Sequence, residues 1–147
     1  MQVKFAESLE ELKLISPVLL QLRPQYSEDT LLKQIQSQQA EGYRVAYVQD
    51  EGKVLCVAGF VMGQKLAWRK HIYVDDLVTN EAHRSTGAGK FLIAWLKQYG
   101  LDNGCQQLHL DSGVTRFGAH RFYLREGFDI TSHHFGIVEL DEKSQRD

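Results

Sequence analysis

Arg84-Ser85-Thr86-Gly87-Ala88-Gly89-Lys90 lies between a run that reads as a strand, Trp68 to Val78, and a strongly amphipathic run. In that second run Leu92, Trp95, Leu96 and Tyr99 fall at i, i+3, i+4 and i+7, which predicts a helix with one buried stripe. A basic residue and two glycines therefore open a helix whose first amides have no intrahelical partner. Such a helix start is an anion site, and the anion it fits is a pyrophosphate. Two familiar phosphate loops do not fit. A Walker loop needs a glycine where this chain has Arg84 and a Ser or Thr where it has Phe91. A dinucleotide fingerprint needs a third glycine where this chain has Leu92, and needs it early in a βαβαβ half rather than past mid-chain.

Working outward, Gln2 to Ala6 reads as a strand. Ser8 with Glu11 fits a capping box ahead of Leu9, Leu12 and Ile15, and Pro17 is expected to kink or restart that helix with Ser16 as a new cap. A second helix is predicted from about Glu28 to Ala40, started by Ser27 and stopped by Gly42. Tyr43 to Gln49 and Val54 to Met62 read as a hairpin around Asp50-Glu51-Gly52-Lys53. Beyond the amphipathic helix, Gln107 to Asp111 reads as a short strand, and Ala119, Phe122 and Tyr123 share a helical face ending near Gly127. Phe128 to Ile130 and Phe135 to Leu140 are predicted as the last strands, with a frayed end over Lys143 to Asp147. The order β-α-α-β-β-β-α-β-α-β-β predicts an α/β (α+β) fold: a mixed, mostly antiparallel sheet flanked by helices.

No repeat, linker or low-complexity tract divides the 147 residues, so one domain over 1–147 is expected. A net charge of −2 gives no general pull toward nucleic acid or anionic membrane, and neither is expected as a partner. No apolar run reaches the ~18 residues of a membrane span, and Met1 to Phe5 lack the layout of a signal peptide. Cys56 and Cys105 read as two buried or half-buried thiols in a reducing compartment, so a cytoplasmic protein is expected. The six histidines show no zinc spacing with cysteine, and no metal is expected.

What remains at the loop is Arg-x-x-Gly-x-Gly at a strand-to-helix junction. About thirty residues on comes Ala119-His120-Arg121-Phe122-Tyr123-Leu124-Arg125-Glu126-Gly127-Phe128. Together these resemble the GNAT (GCN5-related) N-acetyltransferases, whose second motif reads Ala-x-x-Phe-Tyr-x-x-x-Gly-Phe. Within the family, Arg116 to Gly127 is most similar to aminoalkylphosphonate N-acetyltransferases. The resemblance implies the GNAT acyl-CoA fold, acetyl-CoA as cosubstrate, and transfer to a primary amine by direct attack in a ternary complex. It implies that Arg84, Ser85, Thr86, Gly87, Ala88, Gly89 and Lys90 hold the pyrophosphate, and that Leu77, Val78 and Thr79 pair with the pantetheine arm. Arg116 stands where the family often has an asparagine. A guanidinium accepts no hydrogen bond, so the asparagine's role is not carried over.

The chemistry asks for little else. Tyr123 is identified, by resemblance, as the proton donor to the departing thiolate; a phenol of pKa about 10 suits that task. The amine must lose a proton before attack, and Asp75 and Asp76 close an apolar strand where one carboxylate of the pair faces any given cleft. Asp76 is favoured as the base, because an acid recurs at this offset from the loop in the resembling enzymes, and Asp75 is retained as an acceptor-side group. Arg116 and His120 are retained on the acceptor side as well; Arg121 and Arg125, at i and i+4, read either as a solvated face or as contacts to an anion. With no extra domain and no strongly charged patch, a small-molecule amine is the expected acceptor. A protein amine, a non-catalytic acyl-CoA sensor and a homodimer formed through the last strands stay open.

Overall fold

This computed structural model describes residues 1–143. The frayed end expected over Lys143 to Asp147 lies, from residue 144 onward, outside the described residues. Five strands, β1 (Gln2–Phe5), β2 (Arg44–Asp50), β3 (Lys53–Lys65), β4 (Arg69–Thr79) and β5 (Gln107–Leu110), form one sheet in sequence order. The first three pairings are antiparallel and β4–β5 is parallel, so the sheet is mixed and mostly antiparallel as expected. The chain divides into two compact units, Met1–Leu110 with the whole sheet and a second from Asp111 onward.

In the first unit the helices are α1 (Leu9–Leu22), α2 (Glu28–Gln39) and α3 (Ala88–Asp102). Capping boxes start α1 (Ser8 with Glu11) and α2 (Ser27 with Thr30), each satisfying orphan amides at the helix start. Pro17 does not restart α1, which runs as one helix through it, so Ser16 is not a new cap as the sequence reading allowed. Proline lacks the N–H that would bond Lys13 O, and the Ser16 hydroxyl donates to that carbonyl instead at 3.1 Å. Leu12, Ile15, Leu19, Leu31 and Ile35 of α1 and α2 pack with Val45, Tyr47 and Val57 on one face of the sheet. On the other face Trp95 and Tyr99 of α3 stack on each other and meet Phe5 and Phe60 edge-on, while Leu92, Ile93 and Leu96 are buried. Cys56 and Cys105 are buried free thiols, and burial pushes Cys56 up to about 11.

The residue that matters most for function is the extra one in β4. Gly59 pairs with Asp76 and Phe60 with Val74, so Asp75 is a bulge with no partner in β3. The bulge breaks the two-residue alternation. Ile72 packs against Gly100 of α3, whereas Val78 packs against the core on the α1–α2 face. Asp76 is thereby turned to the α1–α2 face as well. Pairing with β5 also stops here, at Val74–Leu110, so β4 continues to Thr79 bonded to β3 alone within the sheet.

In the second unit α4 (Phe117–Arg125) ends at Gly127, where φ is +95°, and a single turn, α5 (Leu140–Lys143), follows. Residues 128–139 contain no strand, correcting the two strands expected there. Alternation of apolar residues requires a partner ladder to become a strand, and among the described residues none pairs with this segment: Phe135 is 91% and Val138 82% exposed.

Candidate active site

The glycine loop has the form that its sequence implies. A short 3-10 turn, Glu81–His83, leads to Arg84, and α3 begins at Ala88 with Gly87 as its N-cap. Ser85 (φ +62°) and Gly87 (φ +81°) are both left-handed, and at Gly87 any side chain would be strained. Thr86 Oγ1 accepts from Ala88 N–H at 3.3 Å, and Phe91 N–H is the first to reach a carbonyl of the loop, Gly87 O, at 2.9 Å. The amides of Gly89 and Lys90 fall in the first turn, where the helix supplies no acceptor. There is no acid in that turn, and Arg84 and Lys90 are exposed beside it. This combination fits a diphosphate: unfilled amides, the positive helix end and two cations.

Leu77, Val78 and Thr79 lie on the stretch of β4 that β5 does not cover. Their outer-edge backbone groups are available to an extended ligand, which is the way a peptide-like arm adds to a strand.

Next to this stretch Asp76 is held at both oxygens. Arg23 Nε donates to Oδ1 at 2.9 Å, and the Tyr43 hydroxyl donates to Oδ2 at 2.6 Å. A second guanidinium nitrogen of Arg23 donates to the Asp75 carbonyl at 3.1 Å. Tyr43 lies across Gly59, where an added Cβ would fall 1.6 Å from the phenol oxygen, so only glycine admits the contact. Burial, then the charge of Asp76, push the Tyr43 hydroxyl far above its ordinary value, and it stays a neutral donor. Asp75 is exposed at its surface yet partly desolvated. That desolvation, and then the neighbouring Asp76 charge, raise its carboxyl above the usual range against the opposing pull of Arg23. A cavity of about 130 Å³ opens here, with Leu19, Leu31 and Ile35 below and Arg23, Tyr43 and Asp76 at its side.

In the second unit Tyr123 is buried and meets Phe122 and Phe128 edge-on. Arg116 is the N-cap of α4 and makes no side-chain capping bond. His120 Nε2 is 2.7 Å from Gly113 O, so that carbonyl fixes its ring. Arg121 and Arg125 are exposed on α4. Among the described residues no group of three or more His, Cys, Asp or Glu is placed to hold a metal ion, and no helix is long and apolar enough to cross a membrane.

A family model, "Acetyltransferase (GNAT) family", matches residues 7–128. The chain belongs to the GNAT acetyltransferases. An uncharacterized N-acetyltransferase of Bacillus subtilis, YhdJ, is 29% identical over 135 residues, covering 90% of this chain and 95% of its own. An aminoalkylphosphonate N-acetyltransferase of Salmonella typhimurium is 34% identical over 55 residues only, 37% of this chain and 36% of its own. The solved structure of AAC(6')-Iy with the bisubstrate analogue CoA-S-monomethyl-acetylneamine has the same fold, with a TM-score of 0.77 at 15% identity over 94% of this chain and 97% of that one. This GNAT chain is therefore an acetyl-transferring enzyme with a GNAT fold. Of its candidate site, the sequence named the loop, the open stretch of β4 and the acidic pair. It missed Arg23 and Tyr43, which reach Asp76 from 53 and 33 residues away. No local spacing carries that contact.

Proposed function

We propose that this GNAT enzyme transfers the acetyl group of acetyl-CoA to the primary amine of a small molecule, by direct attack in a ternary complex. One observation carries the reading: β4 loses β5 at Val74, and the freed stretch Asp75–Thr79 leads through the Glu81–His83 turn into the glycine loop that opens α3. Arg84 to Lys90 bind the pyrophosphate and Leu77 to Thr79 align the arm. Acetyl-CoA supplies an activated thioester. The carboxylates of Asp75 and Asp76 attract the ammonium form of the acceptor and take its proton directly or through water. Asp75 gains weight as the base over Asp76, since Asp76 already accepts two strong donors while Asp75 has a raised carboxyl and an exposed face. Tyr123 protonates the leaving thiolate, a role that rests on its motif. Both compact units serve one catalytic domain, and two free, buried cysteines suit the cytoplasm.

A small acceptor is supported by the size of the cavity beside Asp76, about 130 Å³, which has room for a few water-sized groups. The test is acetyl-CoA-dependent thiol release with a panel of amines, including aminoalkylphosphonates and aminoglycosides, set against peptides with free N-termini. Release with peptides alone would move the acceptor to protein. Binding of CoA without release across every amine would favour the sensor.

A further inference from the structure

We propose that Arg23 is a positioning residue of the acetyl transfer, clamping the bulge of β4 so that the Asp75–Asp76 peptide and the Asp76 carboxylate keep one orientation. The proposal rests on the reading of Asp75 and Asp76 as the acceptor-side acids. Arg23 is the C-cap of α1, held by its own N–H on Leu19 O at 2.9 Å, so its backbone does not wander. Its guanidinium then makes a two-point contact, Nε to the Asp76 carboxylate and a terminal nitrogen to the Asp75 carbonyl. A planar fork can span those two acceptors at once, and a lysine ammonium cannot reproduce it.

The second contact is the informative one. Asp75 is the bulged residue, the point in β4 where β3 imposes no register. In a trans peptide C=O and N–H point in opposite directions. Holding Asp75 O toward Arg23 therefore aims the Asp76 N–H away from it and removes the freedom that the bulge would otherwise leave. Tyr43 closes the other Asp76 oxygen, so that carboxylate is fixed from two places, the C-cap of α1 and the residue just before β2, while the Asp75 carboxyl remains unclamped and exposed. An ordinary surface ion pair would not bond a main-chain carbonyl at a bulge; the Lys33–Asp29 pair on α2, both side chains more than 70% exposed, is the contrast.

The test is a set of full-chain variants assayed with the best amine from the panel. Arg23→Gln is expected to lower kcat about 100-fold, the scale on which a misplaced reacting group costs rate, with the KM for acetyl-CoA within about twofold. Arg23→Lys keeps the charge but not the fork. It is expected to recover less than a tenth of the lost rate, while the acid limb of its pH profile stays near the wild-type position. In Arg23→Gln that limb moves to higher pH, because the charge that opposes protonation of Asp75 is gone. Lys33→Gln should match the wild type. Full rate in Arg23→Lys, or Arg23→Gln within threefold of the wild type, overturns the clamp. If Asp75→Asn and Asp76→Asn both turn over normally, the reading of the acids fails instead, whatever Arg23 does.

Discussion

The two halves of β4 are one strand with two employments. From His71 to Val74 it is bonded on both edges, to β3 and β5, and Ile72 and Val74 are almost wholly buried. From the bulged Asp75 onward it loses β5, Asp76 to Thr79 are bonded to β3 alone, the side chains are partly open, and two adjacent carboxylates stand where the apolar run would otherwise continue. The first half is paid in stability. The second gives up ladder contacts and keeps backbone groups and acids in reach of solvent, which a binding strand needs and a core strand avoids. One inserted residue, Asp75, separates the two.

The sharpest way to break the contrast is in the closed half. Phe60→Ala, opposite Val74 and fully buried against Trp95 and Tyr99, should cost about 3–5 kcal/mol in urea unfolding, while the KM of the surviving folded enzyme for acetyl-CoA is unchanged. Beyond the open half the signs reverse. Gly87→Glu puts a side chain at φ +81° and a carboxylate at the amides proposed to hold phosphate; CoA affinity by calorimetry should fall at least ~100-fold, near the cost of two charge-assisted contacts, with cooperative unfolding retained. CoA binding at the wild-type level would remove the loop from the site. Tyr123→Phe should lower turnover about 10²-fold and leave CoA affinity within about twofold, and unchanged turnover would end its role as proton donor.

How far such contrasts are legible in a sequence depends on the range of the forces behind them. The glycine loop, the Ser8–Glu11 capping box, the helix start at Ser27 and the hairpin turn at Glu51-Gly52 are local, and each is where the residues put it. Pro17 misled as to a helix restart, because the remedy, a neighbouring hydroxyl on Lys13 O, is one proton donor wide. The strands expected at residues 128–130 and 135–140 misled because alternation measures fitness for a sheet and not the presence of a neighbour. The bulge was invisible for the same reason: Asp75-Asp76 reads as a strand end, and only pairing with Gly59 and Phe60 shows which residue is extra.

The smallest effect sharpens the comparison most. Asp75 binds its proton more tightly in the fold than in the unfolded chain, so its ionised form opposes folding. Stability due to this group is greatest in acid and declines as pH rises from the ordinary carboxylate value through the raised one. Asp75→Asn should therefore melt slightly higher than the wild type at neutral pH, the difference vanishing in acid, while thiol release falls. A variant that gained stability and kept its rate would show that the open half carries its acids for another purpose.

The uninterrupted α1 has a consequence for how this enzyme could change its acceptor over evolutionary time. Near the start of that helix Glu11 accepts from Tyr47, and Arg23 at its end reaches β4, so the helix is pinned to the sheet at both ends. Residues 24–26 then hang between two fixed posts, Arg23 and the Ser27 cap. Gln25 and Tyr26 from that short span line the cavity. On the proposed reading, substitutions there would re-cut the acceptor pocket while the clamped acids behind it stay still, so a new specificity would need changes in three residues and not the rebuilding of a fold.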